Sequence, residues 1–227
     1  MHLELPDKAT PALHLVRHGQ STWNVDRRVQ GQTDHPGLTA LGREQAGAVA
    51  RLLVGTSAVR LLTSDLVRAI QTADIIGAAM GLRPTATSLL REQAFGWLEG
   101  LDTEVAAGHW EQARQETFDH RGEPVPLVDV VFTGGESMRD VLARAQALSA
   151  SPLITEASGD VIVVSHGDTI RILLLHLLSA DLADPPWREI GNAEVHSVYR
   201  NSVGQVVHVR SQSPMFSASS AQPSQLS

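Results

Sequence analysis

Two stretches of this chain finish an apolar run with one polar residue and then a His-Gly pair. The stretches LHLVRHGQS and VIVVSHGDT place His18 and His166 at equivalent points. Imidazole changes its charge near neutral pH, so it can serve as a nucleophile when neutral and as a donor when charged. Either histidine alone would be read as a satisfied core residue. The repeated pattern instead predicts two imidazoles in one site.

Two arginines follow apolar runs in a similar way. Arg17 directly precedes His18, and Arg68 follows the apolar run VRLLT within the stretch SDLVR. A guanidinium group offers a planar fork that matches phosphate oxygens. Lys8 is the only lysine, which excludes a P-loop because its lysine is absent. Together, these histidines and arginines predict a pocket for a compact dianion, such as a phosphoryl group attacked by histidine. Arg68 alone could also be a solvated helix residue or a partner for Asp65.

A phosphate monoester also needs a proton donor for its departing alkoxide, and a carboxylic acid with a raised pKa can supply that proton. The stretch LLREQAFGWLEG, residues 89–100, offers Glu92 and Glu99 among apolar neighbours. Removal from water raises the pKa of a carboxyl group. Spacing alone does not choose between the two carboxylates, and both could be ordinary loop charges.

The elements that must position these residues alternate along the chain. Apolar runs predict strands over 12–17, 59–63 and 161–165 and a final strand pair near 195–200 and 205–210. Helices are predicted from Thr39, as the cap, to about Leu53, over SDLVRAIQTADIIGAAMG with its end at Gly81, and near 102–115. Two more are predicted over GGESMRDVLARAQAL and over 168–178. This alternation is typical of an α/β sandwich with a mainly parallel sheet, in which ligands bind beyond the carboxyl ends of the strands.

Length and composition limit the remaining classes. A chain of 227 residues with 42% hydrophobic content fits one large domain. We divide it into an N-terminal extension (1–11), the domain (12–210) with a lid segment at 100–133, and a disordered tail (211–227). The net charge of −7 argues against a nucleic-acid binder, and the lack of cysteine excludes thiolate metal sites and disulfides. We find no signal peptide or membrane span and expect a cytoplasmic protein.

The motifs, taken in order, carry a resemblance. The set LVRHGQSTWN, SDLVRAIQTA, LREQAFGWLEG, GGES and VVSHGDTIR resembles the histidine phosphatase superfamily, also called phosphoglycerate mutase-like, over about residues 12–210. The resemblance implies a three-layer α/β/α sandwich with a mainly parallel central sheet. It also implies catalysis that needs neither a metal ion nor another cofactor.

The resemblance further implies a role for each matching residue. His18 matches the nucleophile that becomes phosphohistidine, and Glu92 rather than Glu99 matches the acid. Asn192 and Ala193 match a late motif that supports the pocket. The catalytic residues implied are His18, Glu92, Arg17, Arg68 and His166, and the substrate-binding residues are Arg17, Asn24, Gln30, Gly31, Arg68, His166 and Gly167.

The function predicted on this basis is hydrolysis of a small phosphorylated metabolite through a phosphohistidine intermediate. In the family, glycolytic mutases carry an adjacent arginine pair after the acid, whereas Arg114 and Arg121 stand apart here. A cofactor-dependent phosphoglycerate mutase and an inactive phospho-ligand-binding relative remain alternatives. In the lid segment we expect Trp110 and Phe118 to have packing roles. The final strand could pair between chains, which leaves a homodimer open.

Overall fold

The computed structural model describes residues 10–118, 121–182, 189–201 and 203–214. Six strands in this part form one sheet, in the order β3-β2-β4-β1-β5-β6. The strands β3, β2, β4 and β1 run parallel, and β5 pairs antiparallel with both β1 and β6. The predicted fold class is therefore confirmed. The strands are β1 (Leu13–Arg17), β2 (Ala58–Ser64), β3 (Pro84–Thr87), β4 (Asp160–Ser165), β5 (Val195–Arg200) and β6 (Val206–Gln212).

Helices cover both faces of the sheet. One core joins the strands to α2 and α3, and a second core joins the opposite sheet face to α5 and α7. This arrangement gives the three layers. The helices are α1 (Thr22–Val25), α2 (Ala40–Leu53), α3 (Val67–Met80), α4 (Thr103–Glu116), α5 (Met138–Ala150), α6 (Pro152–Thr155) and α7 (Gly167–Leu177).

Strand β4 has an uninterrupted apolar run, Val161 to Val164, because both of its faces are buried. In β4, Val161 and Val163 belong to the core beneath α5 and α7, whereas Ile162 and Val164 belong to the core beneath α2 and α3. Successive side chains of a strand point to opposite faces, so a strand covered on both sides needs apolar residues at every position. The uninterrupted run VIVV is the sequence signature of this burial.

Local signals set the helix boundaries. The Thr39 hydroxyl accepts a hydrogen bond from the Gly42 amide at the start of α2. Gly81 follows α3 in the left-handed conformation with φ of 70°, and Ser137 forms a capping box with Asp140 at the start of α5. These are common caps of helix ends, and the predicted helices are confirmed within a few residues.

Of the α-helices and strands named above, α1, β3 and α6 were not predicted. β3 begins with Pro84 and pairs with β2 at the edge of the sheet, a position that tolerates proline. At the other edge, β6 reaches Gln212, two residues beyond the predicted domain end. The N-terminal extension up to residue 9 and the tail from residue 215 lie outside the described residues. Within the described residues, no helix combines the length and apolar content that a membrane crossing needs.

The carboxyl ends of β1, β4 and β2 meet at one rim of the sheet. Arg17 at the end of β1 is in register with Ser165 at the end of β4, and Thr63 of β2 is in register with Val164. The residues that follow these strands therefore start from neighbouring positions. This register places both His-Gly pairs and the loop leading to α3 around one site.

Candidate active site

The structure brings His18 and His166 into contact. Their ring centroids are 5.1 Å apart, with an interplanar angle of 62°. Both side chains are almost completely buried, and His18 lines a cavity of about 310 Å³ at the rim of the sheet. Since each histidine directly follows its strand, the parallel pairing of β1 and β4 is what places the two rings together.

The hydrogen bond of His18 decides which ring nitrogen is free to react. Its Nδ1 lies 2.7 Å from the Gly19 carbonyl oxygen, which can only accept, so Nδ1 carries the proton. Nε2 then holds the lone pair. A Cβ on Gly19 would lie 2.2 Å from the Gly42 carbonyl oxygen, so only glycine allows this loop to approach α2 so closely.

Arg68 is a fully buried cation in the first turn of α3. Its Nη1 and Nη2 donate to the carbonyl oxygens of Thr33 and Gly31, at 2.9 Å and 2.7 Å. Gly31 has a φ of 47°, which favours glycine at that position. Burial lowers the pKa of Arg68 to about 10, so the guanidinium stays charged at neutral pH. Asp65 pairs with Arg91 at 2.7 Å, which removes the alternative role proposed for Arg68.

Several buried nitrogen atoms around His18 have no hydrogen-bond partner within the described part of the chain. They are the Nε atoms of Arg17 and Arg68 and both ring nitrogens of His166. Arg17 does use another guanidinium nitrogen, Nη1, to bind the Ile190 carbonyl oxygen. Buried polar atoms in proteins are nearly always paired. A group of unpaired donors beside a cavity is therefore suited to an anion that accepts several hydrogen bonds.

Both imidazoles are neutral in the free protein at neutral pH. Burial, followed by the charges of Arg68 and Arg17, lowers the pKa of His18 well below its usual value. Burial and the charge of Arg68 do the same to the pKa of His166. A dianion placed between them would favour the charged form and raise the pKa of His166.

Glu92 forms the wall of the cavity next to the start of α7. Its Oε1 accepts from the amides of Gln93 and Thr169, at 3.0 Å and 3.1 Å, and its Oε2 accepts from the Asp168 amide at 3.3 Å. Burial, helped by the nearby Asp168 carboxylate, raises the pKa of Glu92. A carboxyl group with a raised pKa, fixed beside the cavity, can donate a proton to a leaving group.

Glu99, the other candidate acid, holds a loop instead. Its carboxylate accepts from the Gln32 amide at 3.0 Å and from the Thr33 hydroxyl at 2.7 Å. These bonds fix the same loop whose carbonyl oxygens bind Arg68. Glu99 does not line the cavity that holds His18.

Most of the predicted site residues line that single cavity. His166 lies against His18. Gly167 does not line the cavity, but a Cβ added to it would lie 3.7 Å from Cζ of Arg17. Asn192 donates to the His18 carbonyl oxygen at 3.3 Å and to the Asn24 side chain at 3.1 Å. The predicted residues that line the cavity are Arg17, His18, Asn24, Gln30, Gly31, Arg68 and Glu92.

Comparison with known proteins agrees with this geometry. The family model of the histidine phosphatase superfamily (branch 1) matches residues 13–212. The chain belongs to the histidine phosphatase superfamily. A curated relative, the probable phosphoglycerate mutase GpmB of Salmonella choleraesuis, is 39% identical over 181 residues, covering 78% of this chain and 77% of the relative.

Solved structures in the comparison include phosphatases. A mycobacterial glucosyl-3-phosphoglycerate phosphatase in complex with VO3 has a TM-score of 0.74 and 31% identity, covering 90% of this chain and 98% of that chain. The alpha-ribazole phosphatase from Shigella flexneri has a TM-score of 0.70 and 23% identity, covering 86% and 93%, and shows the fold alone. These findings support a phosphomonoester hydrolase.

Sequence reasoning missed two residues of this histidine phosphatase that hold Glu92 in place. Arg144 donates through Nη1 to the carbonyl oxygens of Leu89 and Arg91, both at 3.0 Å, and through Nη2 to Glu136 at 2.9 Å. Glu136, the partner of Arg144 in this ion pair, accepts from the Ala94 amide at 3.0 Å. We call the pair of Arg144 and Glu136 the clasp. The motif GGES pointed to Glu136 without a role, and Arg144 had no distinguishing signal in its helix.

The lid segment contributes α4, which lies over the cavity of this histidine phosphatase. Trp110 packs edge-on against Phe132, with ring centroids 4.7 Å apart, and also lines the cavity. Phe118 is 55% exposed, so the packing role predicted for it is wrong. In the described part of the chain, no group of three or more His, Asp or Glu side chains could hold a metal ion. The α4 residues that line the cavity are Thr103, Ala106, Ala107 and Trp110.

Proposed function

We propose that this histidine phosphatase hydrolyses small phosphate monoesters through a phosphohistidine formed on His18, without a metal ion. The observation that supports this function is the arrangement around the free Nε2 of His18. Arg17, Arg68 and Glu92 line the same cavity as His18, and His166 lies against the His18 ring. Within the described residues, four buried nitrogen atoms of Arg17, Arg68 and His166 have no hydrogen-bond partner. Such an arrangement stabilises negative charge on a phosphoryl group beside a nucleophile.

The reaction has two steps. The His18 Nε2 attacks phosphorus, so that the P–N bond forms as the ester P–O bond breaks. Glu92 gives its proton to the departing alkoxide, while Arg17, Arg68 and His166 donate to the other phosphoryl oxygens. A water molecule then attacks the phosphohistidine, the P–N bond breaks, the Glu92 carboxylate takes a proton from that water, and inorganic phosphate leaves.

Hydrolysis of p-nitrophenyl phosphate at mildly acidic pH, after treatment with a metal chelator, tests this function. We expect turnover by the wild-type chain, no turnover by His18→Ala, and an acid-labile phosphoryl group on the peptide that contains His18 after rapid quenching. Retained activity in His18→Ala would reject the mechanism. A wild-type chain that binds phosphate but hydrolyses no ester in a broad panel would indicate the inactive phospho-ligand-binding relative.

A mutase activity is the second candidate, because the curated relative at 39% identity bears the name probable phosphoglycerate mutase GpmB. A mutase would return the phosphoryl group to a phosphoglycerate before water could reach it. Incubation with bisphosphoglycerate and 3-phosphoglycerate, followed by separation of the isomers, distinguishes the two. Interconversion of isomers that is faster than phosphate release would favour the mutase.

The assembly and location of the protein stay predictions. β6 lies at the edge of the sheet, where a second copy could add its own strand, and light scattering would measure the mass of the particle. A small phosphorylated metabolite as substrate fits the mycobacterial phosphatase that this chain resembles. The cytoplasmic location, the domain limits and the disorder of the tail rest on the sequence alone and likewise stay predictions.

A further inference from the structure

A second cavity adjoins the one that holds His18. It has a volume of about 380 Å³, and the two cavities share Phe95, Ala107, Trp110 and Asp168 as lining residues. We call this second cavity the apolar chamber. Its volume falls in the range of about 300–1,000 Å³ that is usual for sites that bind small molecules. The residues that line the chamber are Gln93, Phe95, Ala107, Trp110, Glu111, Leu127, Met138 and Asp168.

The walls of the chamber are mostly apolar and well supported. Trp110 stands edge-on to Phe95 and to Phe132, with ring centroids 6.3 Å and 4.7 Å away, so its indole is held on two sides. Leu127 and Met138 complete the apolar lining. Aromatic walls favour flat partners, and the flexible thioether of methionine adapts to their outline.

The charges at the chamber do not suit an anion. Of the described side chains that line it, Glu111 and Asp168 are acidic and none is a lysine or an arginine. Arg171, which is near the chamber, forms an ion pair with Asp168 at 2.7 Å, so its charge is already paired with a carboxylate of the chain. A substrate carboxylate in this chamber would lose its hydration without gaining a positive partner among the described lining residues, which is unfavourable.

We propose that the apolar chamber binds the alcohol part of the substrate, and that this alcohol is uncharged and carries an aromatic or similarly flat apolar group. The inference rests on the proposed phosphatase function, because Glu92 must protonate the alcohol oxygen between the two cavities. The preferred substrates are then phosphate esters of such alcohols. Phosphoglycerates, whose carboxylate would enter the chamber, are poor substrates.

Three esters of alkyl alcohols test the proposal, since their leaving groups have similar chemistry: 2-phenylethyl phosphate, glycerol 3-phosphate and 3-phosphoglycerate. Burial of the phenyl ring predicts a kcat/KM for 2-phenylethyl phosphate about tenfold or more above that for glycerol 3-phosphate. 3-Phosphoglycerate is expected to be the slowest. A wild-type enzyme that hydrolyses 3-phosphoglycerate fastest, with His18→Ala inactive, would overturn the chamber proposal and leave the phosphatase function standing.

Two tryptophans provide a matched pair of variants. Trp97 also contacts Phe132, with centroids 5.9 Å apart, but it is 50% exposed and lines neither cavity. Trp110→Ala should lower the preference for 2-phenylethyl phosphate over glycerol 3-phosphate by about tenfold, because the ring loses a packing partner. Trp97→Ala should leave that preference within about twofold of wild type. An equal loss for both esters in Trp110→Ala would contradict the proposal.

A third variant tests the chamber by adding a positive charge to its lining instead of removing an aromatic ring. Leu127→Arg places a cation in the lining, so kcat/KM for 3-phosphoglycerate should rise relative to that for 2-phenylethyl phosphate. An unchanged or reversed ratio in a folded variant, as judged by circular dichroism, would reject the assignment. If no ester were hydrolysed and phosphate failed to bind the wild-type chain, the proposed function itself would be wrong.

Discussion

The two ends of the central strands each hold a buried histidine near a carboxylate, and the two groups are built in opposite ways. At the amino ends, the His14 nitrogens contact the Ser197 hydroxyl at 2.8 Å and the Asp160 carboxylate at 3.4 Å. At the carboxyl ends, neither nitrogen of His166 has a partner within the described residues. His14 lies near the start of β1 and His18 directly follows its end, so the two residues are four positions apart, about 13 Å in extended backbone.

The carboxylates at the two ends, Asp160 and Glu92, also differ, because their pKa values are shifted in opposite directions. Burial acts to raise the pKa of Asp160, but hydrogen bonds from Ala12, Ser57 and His14 together lower it. Burial raises the pKa of Glu92, and Asp168 adds to that effect. One end of the sheet therefore pairs its polar groups, whereas the other leaves buried nitrogen atoms unpaired and holds a carboxyl group whose pKa is raised. Incomplete pairing, rather than the presence of histidine, marks the site.

The largest effect is expected from Glu92→Gln, with Asp160→Asn as its counterpart at the other end. For an alkyl ester, kcat/KM should fall about 10²–10⁴-fold, because the alkoxide loses its proton donor. For p-nitrophenyl phosphate the loss should be much smaller, since this leaving group departs without a proton.

The pH profile gives the same test independently. Glu92 must be protonated to act, so the wild-type kcat/KM for an alkyl ester should fall as pH rises through its raised pKa. Glu92→Gln should lack this basic limb. Asp160→Asn should keep both rate and profile and lose stability in urea denaturation. Equal losses of Glu92→Gln on both esters would show that Glu92 is not the acid.

His166→Asn compared with His14→Asn comes next in size. Removal of a donor to the phosphoryl oxygens should lower kcat about 10²–10³-fold in His166→Asn. His14→Asn should retain kcat within about twofold because its ring faces Ser197 and Asp160 only. Steady-state kinetics with p-nitrophenyl phosphate measures both. Comparable losses in the two variants would remove the distinction between the two ends.

Glu136→Gln should have a moderate effect, since Glu136 acts on the site through the loop that carries Glu92. Its carboxylate pairs with Arg144 and accepts from the Ala94 amide, so a weaker acceptor should misplace the acid. We expect kcat/KM for an alkyl ester to fall about tenfold, with a smaller loss for p-nitrophenyl phosphate.

Asp129→Asn is the control for Glu136→Gln. Asp129 forms an ion pair at 2.5 Å with Arg139, which lies on α5 as Arg144 does, and neither partner lines either cavity. Its kinetics should match wild type with both esters. If Glu136→Gln lowered both esters by the same factor, its role would be structural only.

The smallest effect concerns stability at the satisfied end. His14→Asn should lower the free energy of unfolding by about 1–3 kcal/mol, because Asp160 and Ser197 lose a buried partner. Burial lowers the pKa of His14, so below pH 6.5 the unfolded chain binds more protons at this residue than the folded chain does. Wild-type stability therefore falls as pH drops from 6.5, and His14→Asn should flatten part of that slope in urea titrations. An unchanged slope would show that His14 does not contribute.

The sequence predicted the fold and the two histidines for a physical reason. Strands buried on both faces give uninterrupted apolar runs, and the parallel register of β1 and β4 then places both His-Gly pairs at one rim. The clasp between Glu136 and Arg144 was not predictable, because Arg144 contacts a loop more than 50 residues away in the chain. The apolar chamber depends on how α4 packs over the sheet, which helical periodicity does not encode.

The first residues of α7 have a consequence for how such an enzyme can change its substrate. His166 precedes the helix, and the amides of Asp168 and Thr169 donate to Glu92. His166 and Glu92 are therefore both anchored to the start of α7. A different helix, α4, supplies Ala107, Trp110 and Glu111 to the lining of the chamber. Substitutions confined to α4 should thus retune which alcohol is released while the bond-breaking apparatus stays in register, which makes that helix the natural target for laboratory evolution.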